Sequence, residues 1–365
     1  MSPVESLEQA VTKPLVEIRD LHLEMVTLDG VAKVLNGVNL TVHRGDLLGL
    51  VGETGCGKSV TAMSIPQLVP QPPARYTSGE IRFLGEPVMG KSEEELRRLR
   101  AEHIGVIFQD PMTGLNPVFT VEEQMVDAIL SRQGALDATA FGRKWLPSNR
   151  ARRRQAHARA LQLLRQVGIT DPEKRIHAYP HEFSGGMRQR VLIAMAISGR
   201  PDLLIADEPT TALDVSVQAQ ILRLIADLVR EINLTVLLIT HNIGVVAQLC
   251  NRVAVMYAGN VVETGPVRSI LRHPQHPYTR GLLAAIPTDD TPRGTLQGVA
   301  GSVPNLYAPP PGCRFAPRCA FARAACTAAV PPMIQAPSSD TPDHQVACVL
   351  YQESAQESVQ AAPCS

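Results

Sequence analysis

Apolar and polar residues follow two different periodicities along the chain. Six short apolar runs bounded by turn residues predict strands, and they lie at 15–23, 38–42, 47–51, 203–206, 236–239 and 253–256. The last three runs are continuously apolar, as is typical of strands in a parallel sheet covered on both faces. Apolar residues recur at helical spacing over 187–199 and 216–232. Strands that alternate with helices in this way predict an α/β domain.

A second pattern begins near residue 120. Between about 120 and 200 the apolar residues recur at helical spacing and strand-like runs disappear, which predicts a helical subdomain inserted into the sheet domain. This region is basic, because no acidic residue lies between Asp137 and Asp171. Its cations include Arg143, Lys144, Arg150, Arg152, Arg153, Arg154, Arg159 and Arg165. Two interpretations are open: a solvated helix face, or a surface attracted to anionic lipid headgroups.

Length and charge narrow the class of protein. The 365 residues suit one large domain with a smaller appendage. Lys plus Arg and Asp plus Glu both number 35, so the net charge of zero gives no general attraction to nucleic acid. The N-terminal sequence lacks the apolar stretch of a signal peptide, and no segment reaches the roughly 18 apolar residues of a membrane span. We therefore expect a cytosolic chain with only peripheral membrane contact.

Proline becomes frequent after about residue 286, which indicates a loop-rich appendage. We therefore predict a large domain over 13–285, an appendage over 286–350 and a disordered tail over 351–365. Of the seven cysteines, five follow residue 300, and they are Cys313, Cys319, Cys326, Cys348 and Cys364. Because the chain shows no export signal, this crowding favours metal chemistry over disulfides.

The segment that follows the apolar run 47–51 fits the phosphate-loop pattern G-x-x-x-x-G-K-[ST]. Backbone N–H groups of such a loop turn inward around phosphate oxygens, Lys58 can bridge the β- and γ-phosphates, and the Ser59 hydroxyl can ligate Mg²⁺. Cys56 contributes mainly its backbone N–H, although Lys58 and the helix N-terminus are in a position to lower its pKa. The predicted nucleotide-binding residues here are Gly52, Glu53, Thr54, Gly55, Cys56, Gly57, Lys58, Ser59 and Val60.

Four further polar residues follow apolar runs. Asp207 and Glu208 end the run 203–206, where Asp207 can hold Mg²⁺ through water and Glu208 can polarise the attacking water. His241 follows the run 236–239 closely and can reach the γ-phosphate, whereas alone it would be taken as a structural histidine. Gln109 follows 104–108 and can offer its amide oxygen to Mg²⁺ or to the water.

One more segment, Ser184-Gly185-Gly186-Met187-Arg188-Gln189-Arg190, resembles the signature sequence of ABC transporter ATPases. With the phosphate loop, Gln109, Asp207-Glu208, Ala212-Leu213-Asp214 and His241, the ordered set of motifs of that family is present. The resemblance implies an ABC-type P-loop ATPase domain with an inserted helical subdomain, which uses ATP and Mg²⁺. It also implies a head-to-tail dimer, in which Ser184, Gly185, Gly186 and Asp214 serve nucleotide held by the partner's phosphate loop.

Four segments are similar to dipeptide and oligopeptide importer ATPases: 59–65, 108–112 with 115–117, 179–183 and 273–280. This similarity implies a complex on the cytoplasmic face of the inner membrane, with a second, non-identical ATPase, two membrane permease subunits and an extracytoplasmic peptide-binding protein. It implies no nucleic-acid partner. Met25 or Val26 stands where many relatives place an aromatic ring against adenine, so weak base stacking is expected.

The spacing of Cys313, Cys319, Cys326 and Cys348 is wider than the paired C-x-x-C knuckles of structural zinc, so spacing alone leaves the metal open. The core 312–319 resembles the appendage of peptide-importer ATPases, and some relatives hold a 4Fe-4S cluster there. The resemblance implies that these four thiolates bind such a cluster, with zinc or no metal as alternatives. Cys364 lies in the tail and is not counted as a ligand.

Three functions are to be weighed against the sequence. The leading one is an ATPase that energises import of di- and oligopeptides, or of nickel chelates or another small solute. A soluble ABC ATPase acting on DNA or ribosomes would explain the basic segment 143–165, but the zero net charge and the appendage argue against it. A subunit that binds ATP with little hydrolysis would require a damaged site, and Glu208 and His241 argue against that.

Overall fold

The computed structural model describes residues 13–110, 114–132, 147–211, 213–286, 298–337 and 341–352. The chain divides into two compact units. The first unit combines residues 1–89 with residues 240–365, and the second comprises residues 90–239. The N-terminal and C-terminal parts of the sequence therefore fold together, and the middle of the chain forms a unit of its own.

The first unit contains an antiparallel sheet in the order β2-β1-β4-β5. Its strands are β1 (Val16–Thr27), β2 (Gly30–Val42), β4 (Ala74–Phe83) and β5 (Glu86–Pro87). β1 and β2 form a hairpin that pairs Val16 with Val42 at one end and Thr27 with Gly30 at the other. The predicted strands at 15–23 and 38–42 are confirmed, and both are longer than the apolar runs because their exposed ends continue the hairpin.

A second group of strands in the first unit has the order β3-β9-β10-β12-β11. β3 (Leu47–Val51) is buried throughout and pairs in parallel with β9 (Arg252–Tyr257). Pairing becomes antiparallel from β9 to β10 (Asn260–Pro266) and onward to β12 (Gln345–Val346) and β11 (Ile334–Gln335). Four helices accompany these strands, and they are α1 (Lys58–Ser64), α8 (Ile243–Leu249), α9 (Val267–Arg272) and α10 (Pro277–Ala284).

The cysteine-bearing appendage contains little regular secondary structure. It contains the 3₁₀ turns Ala316–Arg318 and Val349–Tyr351 and the helix α11 (Ala324–Ala328). Buried hydrogen bonds fasten it, because the Glu263 carboxylate accepts from His344 Nε2 at 2.8 Å and also from the backbone N–H groups of Gln275 and His276 at 2.8 and 2.9 Å. The importer-like segment 273–280 is thus tied both to β10 and to the appendage.

The second unit is built on three parallel strands in the order β8-β7-β6. These are β6 (Ile104–Ile107), β7 (Leu203–Asp207) and β8 (Thr235–Thr240), the last pairing through residues 235–239. The helices in the described part of this unit are α2 (Glu93–Glu102), α3 (Val121–Arg132), α4 (Pro147–Gln166), α5 (Pro172–Arg175), α6 (Gly185–Ala196) and α7 (Val215–Ile232). In the described part of 108–202 no strand interrupts the helices, so the predicted inserted helical segment is confirmed.

The basic segment lies on α4, apart from Arg143 and Lys144, which fall outside the described residues. Arg150, Arg152 and Arg154 are exposed, and ion pairs join Arg153 to Asp127 at 3.4 Å and Arg165 to Glu173. These features favour the interpretation of the basic segment as a solvated helix face.

No described helix combines the length and the apolar character needed to span a bilayer.

Candidate functional site

The phosphate loop belongs to the first unit and joins β3 to α1. Its first residue, Gly52, is buried and has no room for a side chain, because a Cβ there would lie 2.1 Å from the carbonyl oxygen of Met256 on β9. Lys58 as a whole is only 5% exposed, and its ammonium donates to the carbonyl oxygens of Gly52 and Glu53, both at 2.9 Å. Strand packing therefore fixes where the loop starts, and the lysine lies across the loop that the sequence assigned to phosphate.

The thiol of Cys56 is buried beneath the same loop, 3.8 Å from Lys58 Nζ. Burial raises the pKa of Cys56 above its ordinary value, and the nearby Lys58 ammonium offsets only part of that rise. The sequence-based expectation of a lowered pKa was therefore wrong, because desolvation outweighs the attraction of the neighbouring cation.

Two residues from distant parts of the chain hold Glu53. Its backbone N–H donates to the Tyr278 hydroxyl at 3.0 Å, and its carboxylate accepts from the Arg318 guanidinium at 3.0 Å. The sequence reasoning missed both partners. The only available signals were that Tyr278 falls within the importer-like segment 273–280 and Arg318 within 312–319, and neither segment indicated a contact with the phosphate loop.

His241 also belongs to the first unit and is exposed directly after β8. The next residue, Asn242, caps α8, since its side-chain oxygen accepts from the backbone N–H groups of Gly244 and Val245 at 2.9 and 3.3 Å. Asn242 thus has a local structural role, which positions the chain just after His241.

The carboxylate that the sequence predicts to be catalytic belongs to the second unit. Asp207 is the buried last residue of β7, and Glu208 follows it with a positive φ of 44°. The Glu208 backbone N–H donates to the carbonyl oxygen of Ile239 on β8 at 2.9 Å, which holds the turn against the neighbouring strand. Gln109, which lies beyond the end of β6, donates through Nε2 to Glu208 Oε2 at 3.4 Å. The structure thus brings these two predicted residues together.

Thr211 is a site residue that the sequence reasoning did not identify. Its hydroxyl donates to Glu208 Oε2 at 2.9 Å, a shorter distance than the 3.4 Å contact from Gln109 to the same oxygen. A hydroxyl three residues after a strand-terminal carboxylate was the only available signal, and such residues are common in turns.

The signature segment opens α6 in the second unit. Ser184 caps this helix, with its exposed hydroxyl accepting from the backbone N–H of Met187 at 3.3 Å. A Cβ on Gly186 would lie 2.5 Å from Val217 Cγ1, so α6 and the start of α7 are in close contact. Asp214 caps α7, and hydrogen bonds from the Ser216 hydroxyl and from the Val217 N–H lower its pKa. Ser184, Gly186 and Asp214 therefore share one surface. Ala212 lies outside the described residues.

The four predicted cluster ligands line one small cavity in the appendage, together with His276, Phe315 and Phe321. A hydrogen bond from the Cys313 N–H to the Cys326 carbonyl oxygen, at 2.7 Å, joins two of their segments. Burial raises the pKa of the Cys348 thiol to about 11. Among the described residues, however, no three His, Cys, Asp or Glu side chains come close enough together to hold a metal ion. Cys364 lies outside the described residues.

Comparison with known proteins gives two family matches. The ABC transporter family matches residues 35–211, and the C-terminal region of oligopeptide/dipeptide transporters matches residues 262–326. A dipeptide transport ATP-binding protein of Bacillus subtilis is 43% identical over 345 residues, which cover 94% of this chain and 97% of the relative. An oligopeptide transport ATP-binding protein of the same species is 45% identical over 328 residues, covering 90% and 87%.

Solved structures show the same cassette architecture. A dimeric ATP-binding cassette in a post-hydrolysis state, bound to ADP and Pi, matches with a TM-score of 0.57 and 26% identity, covering 69% of this chain and 99% of that one. CbiO1 of Clostridium perfringens, part of an ABC transporter complex, matches with the same TM-score and identity and covers 71% and 91%.

Proposed function

Because the chain belongs to the ABC transporter family, as an ATP-binding protein of the oligopeptide/dipeptide type, we propose that it hydrolyses ATP to drive the import of short peptides. The carrying observation is the match over nearly the full length of peptide-transport relatives, including their C-terminal region. The domain limits that we propose are 13–285 for the cassette and 286–350 for the appendage. ATP hydrolysis itself is the activity of the family.

In the ATP site, Lys58 and the inward backbone N–H groups of the phosphate loop bind the β- and γ-phosphates. Ser59, Asp207 and the amide oxygen of Gln109 would hold Mg²⁺, which prefers oxygen ligands and supplies charge neutralisation when bound. The Gln109 contact with Glu208 uses Nε2, so its oxygen is the atom suited to the metal. Glu208 orients and polarises the attacking water, and His241 holds that water or the γ-phosphate.

The signature residues act on the partner subunit's nucleotide. Ser184 is exposed at the start of α6, where backbone N–H groups and its hydroxyl can bind phosphate oxygens presented by another chain. Gly185, Gly186 and Asp214 shape the same surface. ATP between two such chains joins them, and hydrolysis releases them. We propose a non-identical ATPase as the partner.

The second unit also offers a surface for the membrane subunits. Phe108 and Val118 are 57% and 70% exposed, and Phe119 and Tyr179 are exposed as well. The backbone bond from Val121 N–H to the Ala178 carbonyl oxygen, at 3.0 Å, brings the segments of Phe119 and Tyr179 together beside α3. Exposed apolar groups next to Gln109 suit a short helix of a permease subunit. A peripheral position on the cytoplasmic membrane face follows.

The decisive experiment is reconstitution of the chain in liposomes with its two permease subunits, the second ATPase and the peptide-binding protein. We expect peptide-loaded binding protein to stimulate ATP hydrolysis and to be accompanied by peptide uptake. Stimulation by a nickel chelate and not by peptides would reassign the substrate. Hydrolysis that responds to nucleic acid and never to a loaded binding protein would contradict the transport function.

For the appendage, we propose that Cys313, Cys319, Cys326 and Cys348 hold a 4Fe-4S cluster. A single zinc ion has Zn–S distances of about 2.3 Å, so its four sulfurs converge on one point. The four cysteines line one small cavity, and four thiolates are the ligand set that a 4Fe-4S cluster requires. When bound, such a cluster supplies iron sites for all four thiolates.

Anaerobic purification followed by iron, acid-labile sulfide and zinc analysis tests this assignment. We expect about four irons per chain and visible absorbance, with loss of both in Cys319→Ser. The control is Cys250→Ser, because Cys250 is a buried cysteine that lies near Gly49, away from the appendage. A colourless protein without iron, or one with stoichiometric zinc, would contradict the cluster.

A further inference from the structure

Arg318 joins the appendage to the phosphate loop. Its side chain is only 5% exposed, and Nη1 lies 3.0 Å from both carboxylate oxygens of Glu53. Two backbone carbonyl oxygens fix the rest of the guanidinium, since Nε donates to Ala300 at 2.8 Å and Nη2 to Val299 at 2.7 Å. The guanidinium also lies 5.6 Å from the ring centre of Tyr257. Its orientation is therefore set by the appendage before any ligand binds.

A second contact holds the backbone at the same residue. The Tyr278 hydroxyl accepts from the Glu53 N–H at 3.0 Å, and the fully buried Tyr278 ring packs against Tyr257 and Phe315 with ring centres 4.6 and 5.4 Å apart. Burial raises the pKa of Tyr278 well above its ordinary value, so the hydroxyl stays protonated. Glu53 is thus held by its backbone and by its side chain from two C-terminal segments.

Glu53 presents an electrostatic problem for a loop that binds a triphosphate. It is the second residue of the phosphate-loop pattern, and its carboxylate is part exposed, with 28% of the side chain accessible. An unpaired carboxylate there would repel the phosphates, because unit charges a few ångströms apart in a partly desolvated site interact strongly. A guanidinium paired with both carboxylate oxygens neutralises the charge and fixes its direction.

We propose that Arg318 is a positioning residue for ATP binding, which neutralises and orients Glu53 so that the appendage sets the nucleotide affinity of the phosphate loop. This inference rests on the proposed function, in which that loop holds ATP. The appendage is then part of the nucleotide site, although none of its residues needs to contact ATP. The Tyr278 hydroxyl supports the same loop residue by accepting from the backbone N–H of Glu53.

Four variants of the full-length chain test the idea by equilibrium binding of ATP in the presence of EDTA, which prevents turnover. Arg318→Ala should raise the Kd for ATP about tenfold, because the part-exposed Glu53 carboxylate is then left without a compensating cation. Glu53→Gln, which removes the carboxylate and keeps the guanidinium, provides the single-variant Kd that completes the double-mutant cycle. The double variant should return to within about threefold of the wild-type Kd, because no carboxylate is left to repel the phosphates. Arg318→Lys should give a smaller rise than Arg318→Ala.

Arg280→Ala is the matched control. Arg280 also ties two segments of the first unit, donating to the Pro274 carbonyl oxygen at 2.9 Å and to the Tyr351 hydroxyl at 3.0 Å, yet it does not contact the loop. We expect its ATP affinity to be unchanged. In the assembled transporter, Arg318→Ala should raise the KM for ATP with kcat nearly unchanged, whereas Lys58→Ala should abolish ATP binding.

The outcomes distinguish a failure of the proposed function from a failure of the positioning role of Arg318. If the wild-type chain fails to bind ATP, the proposed function itself fails. If the wild type binds ATP and Arg318→Ala binds it equally well, or if Glu53→Gln does not rescue Arg318→Ala, the positioning role is wrong. Should Arg318→Ala not fold, Arg318→Lys and Tyr278→Phe must still weaken ATP binding, and unchanged affinity in both would overturn the inference.

Discussion

The phosphate loop in the first unit and the proposed catalytic and signature residues in the second are built in different ways. The loop is defined by packing: Gly52 lies against the backbone of Met256, and Lys58 is buried. In the second unit, Glu208 and Ser184 project polar groups that a few hydrogen bonds of 2.9 to 3.4 Å orient. Substitutions in the loop should therefore act through folding and binding, whereas substitutions in the second unit should act through chemistry.

The largest effect on turnover should come from Glu208→Gln. Removing the carboxylate should lower kcat by about 10³-fold, within the range of a lost general base, and should leave ATP affinity and thermal stability close to wild type. Single-turnover ATPase measurements and thermal unfolding would check this. Thr211→Val is the graded control, because it removes only the hydroxyl that orients Glu208, and we expect a loss of about tenfold or less. Intact turnover in Glu208→Gln would remove the role assigned to this residue.

The second prediction concerns packing in the loop. Gly52→Ala would place a Cβ 2.1 Å from the Met256 carbonyl oxygen, and because backbone cannot move aside cheaply we expect destabilisation by several kcal/mol and loss of ATP binding. Gly85→Ala is the matched control, since its Cβ would meet nothing within 4 Å and only its positive φ of 84° is unfavourable. That control should cost about 1 kcal/mol. Equal stability of the two variants would show that the loop is not defined by packing.

A smaller effect is expected at the contact between the signature helix and α7. Gly186→Ala would bring a Cβ within 2.5 Å of Val217 Cγ1, a side chain that can shift or be shortened. We expect ATPase activity of the assembled transporter to fall about tenfold while ATP binding by the single chain is unchanged. Adding Val217→Ala should recover much of the loss. If the second substitution gives no recovery, the glycine is required for a reason other than this contact.

The smallest effect should be seen in the reactivity of Cys56. Because burial raises its pKa, the thiolate fraction near pH 7 lies below that of an ordinary thiol, so alkylation by N-ethylmaleimide should be slow and should accelerate as the pH rises above 8. Bound ATP should slow it further by covering the loop. Mass spectrometry of the labelled peptide gives the rate. Fast, pH-independent labelling would indicate an open loop, and unchanged ATPase activity after complete labelling would show that the thiol does not obstruct the site.

The features that could be predicted from the sequence are those set by residues close together in the chain. The runs 203–206 and 236–239 were confirmed as strands, because a continuously apolar segment of that length has few other ways to be buried. The two-residue strands β11 and β12 were not predicted, since the pairing of β12 with β10 and of β11 with β12 carries no local pattern.

The candidate site shows the same limit. The phosphate loop was readable because its spacing is local and every position is set by the backbone. Gln109 and Glu208 were brought together by the structure, and their assignment rested on the ordered set of motifs rather than on either residue alone. The contact between Glu53 and Arg318 joins residues 265 positions apart, and no local pattern can encode such a pair.

The way in which β12 covers β10 has a practical consequence for handling this protein. β12 pairs with Glu263 and Thr264, and the outermost strand, β11, is only two residues long, so little open backbone is presented to solvent at that margin. Cutting the chain after the cassette would uncover the N–H and C=O groups of β10 and create an edge able to pair with another molecule. Shortened versions should therefore aggregate, and a preparation meant to stay monodisperse should retain the chain through residue 352.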